Sequence, residues 1–496
     1  MVENTLHSIS LYLPEIVLVV TLCVIIVADL VLKNQKHASA WIMLGGLATA
    51  GIFVMLQAGT VESIFFGMAA VDPFATFFKV LLIFTGIFVV LFSMKNRELE
   101  GYSSRMGEYY MLFSGMMLGM LMMVGATNLL LMFLALEIAS ISSYVLAGFT
   151  KRSLRSSEAA MKYIIYGAVS SGVMLYGISL LIGVTAATDI NAINEAIAAG
   201  VEQTMMLNIS VLMILVGLGF KIAVVPFHFW APDVYEGAPI TIAALLAVAS
   251  KIAAFAMLIR LFSVSFIDAS GLSTTGTWSS VEGIHWGLLL GGMAALAMIV
   301  GNLAALRQDN IKRMLAYSSI AHAGYILMGL VIMSSEGLTS IMIYLFIYLF
   351  MNLGAFYVAM LFMNKAGTES IEEYKGLGHR APLAGAALTI FLVSLTGLPP
   401  TGGFVAKLYI FGAAISGGWI WLAAIAGITT IISLFYYIRV VRNMYFFKPD
   451  EDAGRIEFDI SSKVILFALL VPVLLTGLYF QPVLEFARNS MLMFGF

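Results

Sequence analysis

Five residues in this chain have side chains that gain or lose protons, yet each falls within a long apolar stretch: Glu137, Lys221, Lys251, His322 and Lys407. A charge in the middle of a bilayer is costly, and such groups mark ion or proton pathways by default. The types are mixed, with one acid, three amines and one imidazole. A carboxylate beside an ammonium ion favours the charged form of both, and moving a cation toward that ammonium favours release of its proton. The chemistry implied is proton transfer between coupled buried sites.

Prolines adjoin two of the five. Pro226 follows Lys221 in GFKIAVVPFHFWAP, and Pro399 and Pro400 precede Lys407 in SLTGLPPTGGFVAKLYIF. Proline has no backbone N–H and clashes with the carbonyl four residues earlier. The helices should therefore break near Ile222 and near Leu395 and Thr396, with Gly402 and Gly403 loosening the second break. Irregular backbone at membrane depth is tolerated only inside protein or against a wet cavity. Each of the five groups also has a static reading. Glu137 could be a neutral, hydrogen-bonded carboxyl, Lys221 could reach for the surface, Lys251 could pair permanently with Glu137 or with a carbonyl, Lys407 could likewise be static, and His322 could simply bond a hydroxyl. Tyr317, Ser318, Ser319 and Tyr325 surround His322 in sequence.

The elements that must hold these groups are membrane helices. Of 496 residues, 61% are hydrophobic and 11% charged; soluble domains carry about 25% charged residues. A crossing takes about 20 apolar residues. That rule predicts an all-α protein of about fourteen helices: 10–32, 39–58, 74–94, 108–125, 127–149, 158–184, 205–230, 238–264, 284–304, 312–332, 338–363, 382–414, 418–440 and 462–481. The first is too long for a signal-peptide core and reads as a retained helix. Basic residues, which favour cytoplasmic loops, follow the odd-numbered helices: Lys33 and Lys36, then Lys95 and Arg97, Lys151 and Arg152, Arg307 and Arg313, Lys365 and Lys375, and Arg439 and Arg442. Loops after even-numbered helices carry acids such as Glu62, Asp189, Asp268, Glu282 and Glu336. Only the loop after helix 7 lacks its basic residues. Both termini are thus expected on the non-cytoplasmic side.

The segment 160–177 resembles 340–358 in its Met, aromatic and small-residue spacing, and helices 7 and 12 share a proline break and a lysine. Helices 4–8 (108–264) and 9–13 (284–440) are therefore expected to form two five-helix repeats within one membrane domain. An odd helix number inverts the second repeat, an arrangement that places transport sites at broken helices near the midplane. Lys79 and Lys162 lie nearer helix ends and are expected to extend toward water, with Lys162 four residues after Glu158 and able to guard a cytoplasmic opening. Glu15 and Asp29 read as interfacial.

Other chemistry is excluded. A single cysteine, Cys23, read as buried, supplies no disulfide, zinc site or iron–sulfur cluster. No metal-ligand spacing surrounds His322. Phosphate loops, dinucleotide fingerprints, paired glycosidase carboxylates and nucleophilic triads are absent, and no basic cluster suggests nucleic acid. This chain should perform no covalent step and hold no cofactor.

The Glu in helix 5, FKIAVVPFHFWAPDVYEGAP, NIKRMLAYSSIAHAGY and GLPPTGGFVAKLYIF together resemble the antiporter-like subunits of respiratory complex I and their Mrp antiporter relatives. The resemblance spans helices 4 to 13. It is strongest to the N-type branch, which has a lysine like Lys251 in helix 8 and one like Lys407 where a sister branch has glutamate, and lacks a long lateral C-terminal helix. The resemblance implies proton pumping driven by NADH–quinone electron transfer, with flavin, iron–sulfur clusters and quinone held by other subunits. It also implies partnership with neighbouring membrane subunits and a peripheral electron-transfer arm, in a bacterial inner membrane. Glu137, Lys221, Lys251 and Lys407 would be its coupling residues. A Mrp-type cation/proton antiporter subunit or a membrane-bound hydrogenase subunit is the alternative, and an inert scaffold a third.

Overall fold

The computed structural model describes residues 2–32, 37–272, 278–280, 286–449 and 454–493. Lys33, Lys36 and Glu282, counted among the loop charges above, lie outside the described residues. Among the described residues, thirteen helices are long and apolar enough to cross a membrane. Two shorter apolar helices, Pro382–Thr396 and Gly402–Ser416, form the halves of one further crossing. Numbered in chain order, the crossings are helix 1 (Leu13–Val31), 2 (Ala38–Leu56), 3 (Pro73–Ser93), 4 (Met106–Gly125), 5 (Leu129–Ala147), 6 (Leu154–Thr185) and 7 (Thr204–Ile222, then Trp230–Gly237). They continue as helix 8 (Ile240–Ser265), 9 (Trp286–Ala305), 10 (Ile311–Val331), 11 (Ser335–Ala366), 12 (the two halves above), 13 (Ile420–Phe446) and 14 (Ile460–Leu478). The two predicted breaks are both present. Short antiparallel hairpins, Glu62–Ile64 with Ala69–Val71 and Ile267–Leu272 with Trp278–Ser280, close the loops after helices 2 and 8.

Helix 8 is wholly buried, and helices 10 and 11 are nearly so. Helices 1, 2, 6, 13 and 14 keep much of their surface open. Their exposed side chains, such as Val27, Ile52, Val169, Phe435 and Val464, are apolar. This is the pattern of helices turned toward lipid or other membrane helices. Cys23, read above as buried, is on that open surface.

Small residues set the closest approaches. A Cβ on Gly119 of helix 4 would lie 2.5 Å from the Ala139 nitrogen of helix 5. A Cβ on Gly301 of helix 9 would lie 2.6 Å from the Ala321 nitrogen of helix 10. Helices 5 and 10 also begin alike. Asn128 and Asn310 cap them through their side-chain oxygens. Each of those asparagines bridges to the chain leaving the next helix, Asn128 to Asp189 and Asn310 to Ser370.

Three polar pairings were not foreseen. Lys79 does not reach for water; its Nζ lies 2.6 Å from Glu15 Oε1, with both side chains buried. Helix 1 and helix 3 bring two costly groups together instead of exporting each. Glu15, in the first turn of helix 1, is buried against helix 3 rather than open to solvent. Arg260, near the end of helix 8, grips Asp72 with both terminal nitrogens at 2.7 and 2.9 Å, and its Nε donates to the Val124 carbonyl. Asp72 also caps helix 3 by accepting from the Ala75 N–H at 2.7 Å. Bidentate geometry and a satisfied guanidinium are the conditions under which a buried ion pair is tolerated.

The third pairing explains the missing basic residues after helix 7. Asp233 and Glu236, on the short second half of that helix, accept from Arg313 of helix 10 at 2.6 and 2.9 Å. Asp233 also accepts from Lys162 of helix 6 at 2.5 Å. Lys162 keeps its Glu158 partner at 2.7 Å, as the four-residue spacing predicts. The segment is acidic because basic ends of neighbouring helices surround it.

Candidate proton-transfer seam

Helix 7 stops where its hydrogen bonds run out. Ala223 takes a left-handed φ of +57° and ends the helix. Val224 N–H donates to the Gly219 carbonyl at 3.0 Å, and the Trp230 indole reaches back to the Phe220 carbonyl at 3.0 Å. The chain then re-enters a helix at Trp230. Lys221 therefore sits in the last turn of a half-helix, where carbonyls without intrahelical partners concentrate negative potential. It is 1% exposed. Its Nζ donates to Ser140 Oγ of helix 5 at 2.9 Å, so it does not reach for the surface.

Ser140 is one turn beyond Glu137 on the same helix face. Glu137 accepts from Ser171 Oγ of helix 6 at 2.5 Å. Unlike the other four groups, Glu137 is half-buried rather than enclosed. The first half of the molecule thus holds an acid and an amine, each on a serine.

Lys251, 1% exposed at the centre of helix 8, does not pair with Glu137. It donates to the Ser319 carbonyl of helix 10 and to Ser319 Oγ at 3.0 Å. A single turn on, His322 Nδ1 lies 2.7 Å from the Tyr344 hydroxyl of helix 11, and Nε2 lies 3.5 Å from the Tyr437 hydroxyl of helix 13. Tyr437 shares a 2.5 Å hydrogen bond with Ser318. Lys251 reaches Ser319, one turn before His322, and Lys407 lies over the ring of Tyr325, three residues after it. The partners of His322 are chiefly on helices 11 and 13, rather than on its own.

Lys407 starts from the other side of a break. Gly397, at φ +86°, ends the first half of helix 12. The proline pair leaves the Thr396 carbonyl without its usual donor, and Lys407 Nζ supplies one at 2.8 Å. Thr430 Oγ1 of helix 13 accepts at 3.1 Å. The ammonium also lies 4.6 Å from the centre of the Tyr325 ring, a cation–π distance. Tyr325 OH continues the chain to Thr429 at 3.0 Å, Asn302 donates to it at 3.2 Å, and Tyr436 bonds Asn302 at 3.0 Å. Gly403 permits tight packing here rather than looseness, since a Cβ on it would fall 1.7 Å from the Ser394 carbonyl oxygen.

The structure therefore assembles two polar groups. Glu137, Ser171, Ser140 and Lys221 form one; Lys251, His322, Lys407 and the Tyr325, Tyr344 and Tyr437 hydroxyls form the other. Among the described residues, no direct hydrogen bond joins Lys221 to Lys251. Two features of this seam escaped the sequence reading. The tyrosines are spread over three helices, and their convergence has no signature in a single segment. His228 lies in the helix 7 break, buried, with Nδ1 lacking a hydrogen-bond partner among the described residues. A titratable residue two positions past Pro226 was the available signal. Among the described residues no group of three or more potential metal ligands occurs.

Residues 126–433 match the family described as NADH:quinone oxidoreductase/Mrp antiporter, TM. A protein from Chlorobium chlorochromatii named NADH-quinone oxidoreductase subunit N is 44% identical over 98% of this chain and 96% of its own length. A chain in the structure of respiratory complex I from Thermus thermophilus superposes with a TM-score of 0.78 at 30% identity, covering 96% of this chain and 99% of that one. A chain of the Mrp complex from Dietzia sp. has a TM-score of 0.80 at 20% identity, covering 99% and 97%, and so shares the fold.

Proposed function

Since the chain belongs to the NADH:quinone oxidoreductase/Mrp antiporter membrane family, we propose that it is a proton-translocating, antiporter-like subunit of a NADH–quinone oxidoreductase. Electron transfer to quinone belongs to other subunits, which would hold the flavin and iron–sulfur clusters. The observation that carries the proton role is the set of buried amines, each held by neutral oxygens at a helix break or helix centre: Lys221 on Ser140, Lys251 on Ser319, and Lys407 on Thr396 and Thr430.

Those contacts suit transfer. A serine hydroxyl or a carbonyl accepts a hydrogen bond from an ammonium ion but does not fix its charge as a carboxylate would. Glu137 is the one acid of the set, and its field favours a proton on Lys221. Moving Glu137 away, or bringing a cation near, reverses that preference. A proton arriving at Lys251 or His322 then alters the cost of holding one at Lys407, because coupled sites titrate as a group. Charge changes pass sideways through Lys221, Lys251, His322 and Lys407, while protons cross between the two membrane faces through the helix breaks at Pro226 and at Pro399 and Pro400.

We read helices 4–8 and 9–13 as inverted repeats. The matching glycine contacts, asparagine caps and strand bridges support this. The protein would lie in a bacterial inner membrane with both termini on the non-cytoplasmic side, joined to other membrane subunits and to a peripheral electron-transfer arm. The Mrp reading rests on the description of the matched family and on a fold likeness at 20% identity.

The test is proton pumping by the assembled complex in inverted membrane vesicles. Lys221→Ala and Lys407→Ala should each depress NADH-driven acidification while the complex still assembles. Acidification at the parental rate in both variants would reject the proton role.

A further inference from the structure

One pocket outside the seam has the makings of a ligand site. It is a cavity of about 290 Å³ where helix 3 ends, helix 11 ends and helix 14 begins. Lys95, Arg97 and Lys365 line it, against the single acid Asp459. Leu361 and Phe458 add an apolar wall. Lys95 is committed to Asp459 at 2.5 Å, so that pair is internally neutral. Arg97 and Lys365 have no acidic partner among the described residues and leave the pocket with two uncompensated cations.

Lys95 and Arg97 are held in place, and Lys365 follows Asn364 at the exposed end of helix 11. Asn364 ties the elements together: its side chain donates to the Lys95 carbonyl at 2.8 Å and accepts from the Arg97 N–H at 3.1 Å. One guanidinium nitrogen, Nη1, donates to the Asn364 carbonyl at 2.6 Å. Arginine has five N–H donors, so the outer edge of the fork retains donors for an anion with several oxygens. Ser461 and Ser462 donate to Asp459. Together with Lys95 they hold its carboxyl well below the usual carboxylate range, which keeps the Lys95 pair closed.

We propose that this pocket binds the phosphate headgroup of an anionic phospholipid, which pins helices 3, 11 and 14 together at the membrane surface. Phosphate chemistry follows from the paired free cations and the arginine fork. The lipid as its source follows from position. The three helix ends place the pocket at the height of the headgroups, and the Leu361 and Phe458 wall offers an apolar surface to the glycerol and the start of an acyl chain. Basic pockets between membrane helices on the cytoplasmic side attract such headgroups.

The test uses the purified complex containing this full chain, reconstituted in phosphatidylcholine nanodiscs with a trace of photoreactive phosphatidylglycerol or photoreactive phosphatidylcholine. Peptides covering 95–97, 361–365 and 458–462 are quantified after irradiation. Labelling of these peptides by the phosphatidylglycerol probe should exceed that by the phosphatidylcholine probe by about fivefold or more, and Lys365→Glu should remove that excess while Lys365→Arg keeps it. Excess unlabelled phosphatidylglycerol should compete, and millimolar inorganic phosphate should not. Equal labelling by the two probes, or labelling unchanged in Lys365→Glu, would overturn the proposal. Competition by inorganic phosphate would assign the site to a free anion and overturn the lipid. If Lys365→Glu prevents assembly, Lys365→Ala removes the charge without reversing it and decides the same question.

Discussion

The two halves of the molecule share a frame and differ in what it carries. In helices 4–8, Gly119 lies against Ala135 and Ala139, and Asn128 caps helix 5. In helices 9–13, Gly301 lies against Tyr317 and Ala321, and Asn310 caps helix 10. Aligned on those contacts, Glu137 falls opposite Ser319 and Ser140 opposite His322. The first half keeps an acid beside its amine. The second has a serine in the acid's place, and helix 8 of the first half sends Lys251 to that serine. There Glu137 is held by Ser171 and Lys221 by Ser140. In the second, Lys251, His322 and Lys407 share an enclosed region in which each proton held raises the cost of the next. On the proposed repeat, similar packing forms the frame, and different residues at the matching positions leave an acid and an amine on separate serines in one half and a set of buried bases in the other.

The comparison breaks most sharply at the amines. Lys221→Ala should lower NADH-driven proton pumping by about tenfold or more, on the scale at which a positioned proton-transfer group acts. Glu137→Gln should cost less, because Ser171 can still hydrogen-bond an amide, and Glu137→Asp should restore part of the loss. Ser319→Glu sharpens the same point from the other side. It puts a carboxylate beside Lys251, gives the second half a fixed pair, and should slow pumping while electron transfer continues at a reduced rate. A Ser319→Glu complex that pumps normally would show that the missing acid is immaterial.

The ion pairs near the helix ends should behave differently. Arg260→Ala strands Asp72 in a buried site, and breaking a buried pair costs about 3–5 kcal/mol. The expected result is loss of assembled complex on native gels, not a selective loss of pumping. The frame gives a smaller and symmetric effect. Gly119→Ala and Gly301→Ala force methyl groups against backbone, and overpacking of this kind costs about 1–3 kcal/mol. Similar drops in thermal stability of the two variants would support equivalent halves, and a large disparity would count against them.

The smallest effect concerns Asp459. Its carboxyl is held below the usual range by Lys95, Ser461 and Ser462. A depressed carboxyl contributes stability above its ordinary value of 3.8 and loses it as pH falls further. Asp459→Asn should therefore lower the melting temperature slightly at neutral pH. The gap between variant and parent should narrow in acid, as a pH series of melting curves would reveal.

Position along a helix is legible in a sequence; the direction a side chain faces is not. The five seam residues, the breaks at Pro226 and at Pro399 and Pro400, and the fourteen crossings follow from apolar length and from proline chemistry. Arg260 finds Asp72 across 188 residues of chain, and nothing local to either announces the other. Lys79 could be placed near a helix end, but only packing shows that Glu15 of helix 1 meets it. The tyrosines around His322 belong to helices 10, 11 and 13 and converge only when those helices pack.

The proposed proton role requires the two polar groups to act together through Lys251, which leaves helix 8 to reach Ser319 of helix 10. The most direct test is the proton-to-electron stoichiometry of the complex in sealed proteoliposomes with Lys251→Ala. The expected result is an assembled complex that still oxidises NADH but moves fewer protons per electron than the parent. Parental stoichiometry in that variant, at parental turnover, would contradict it.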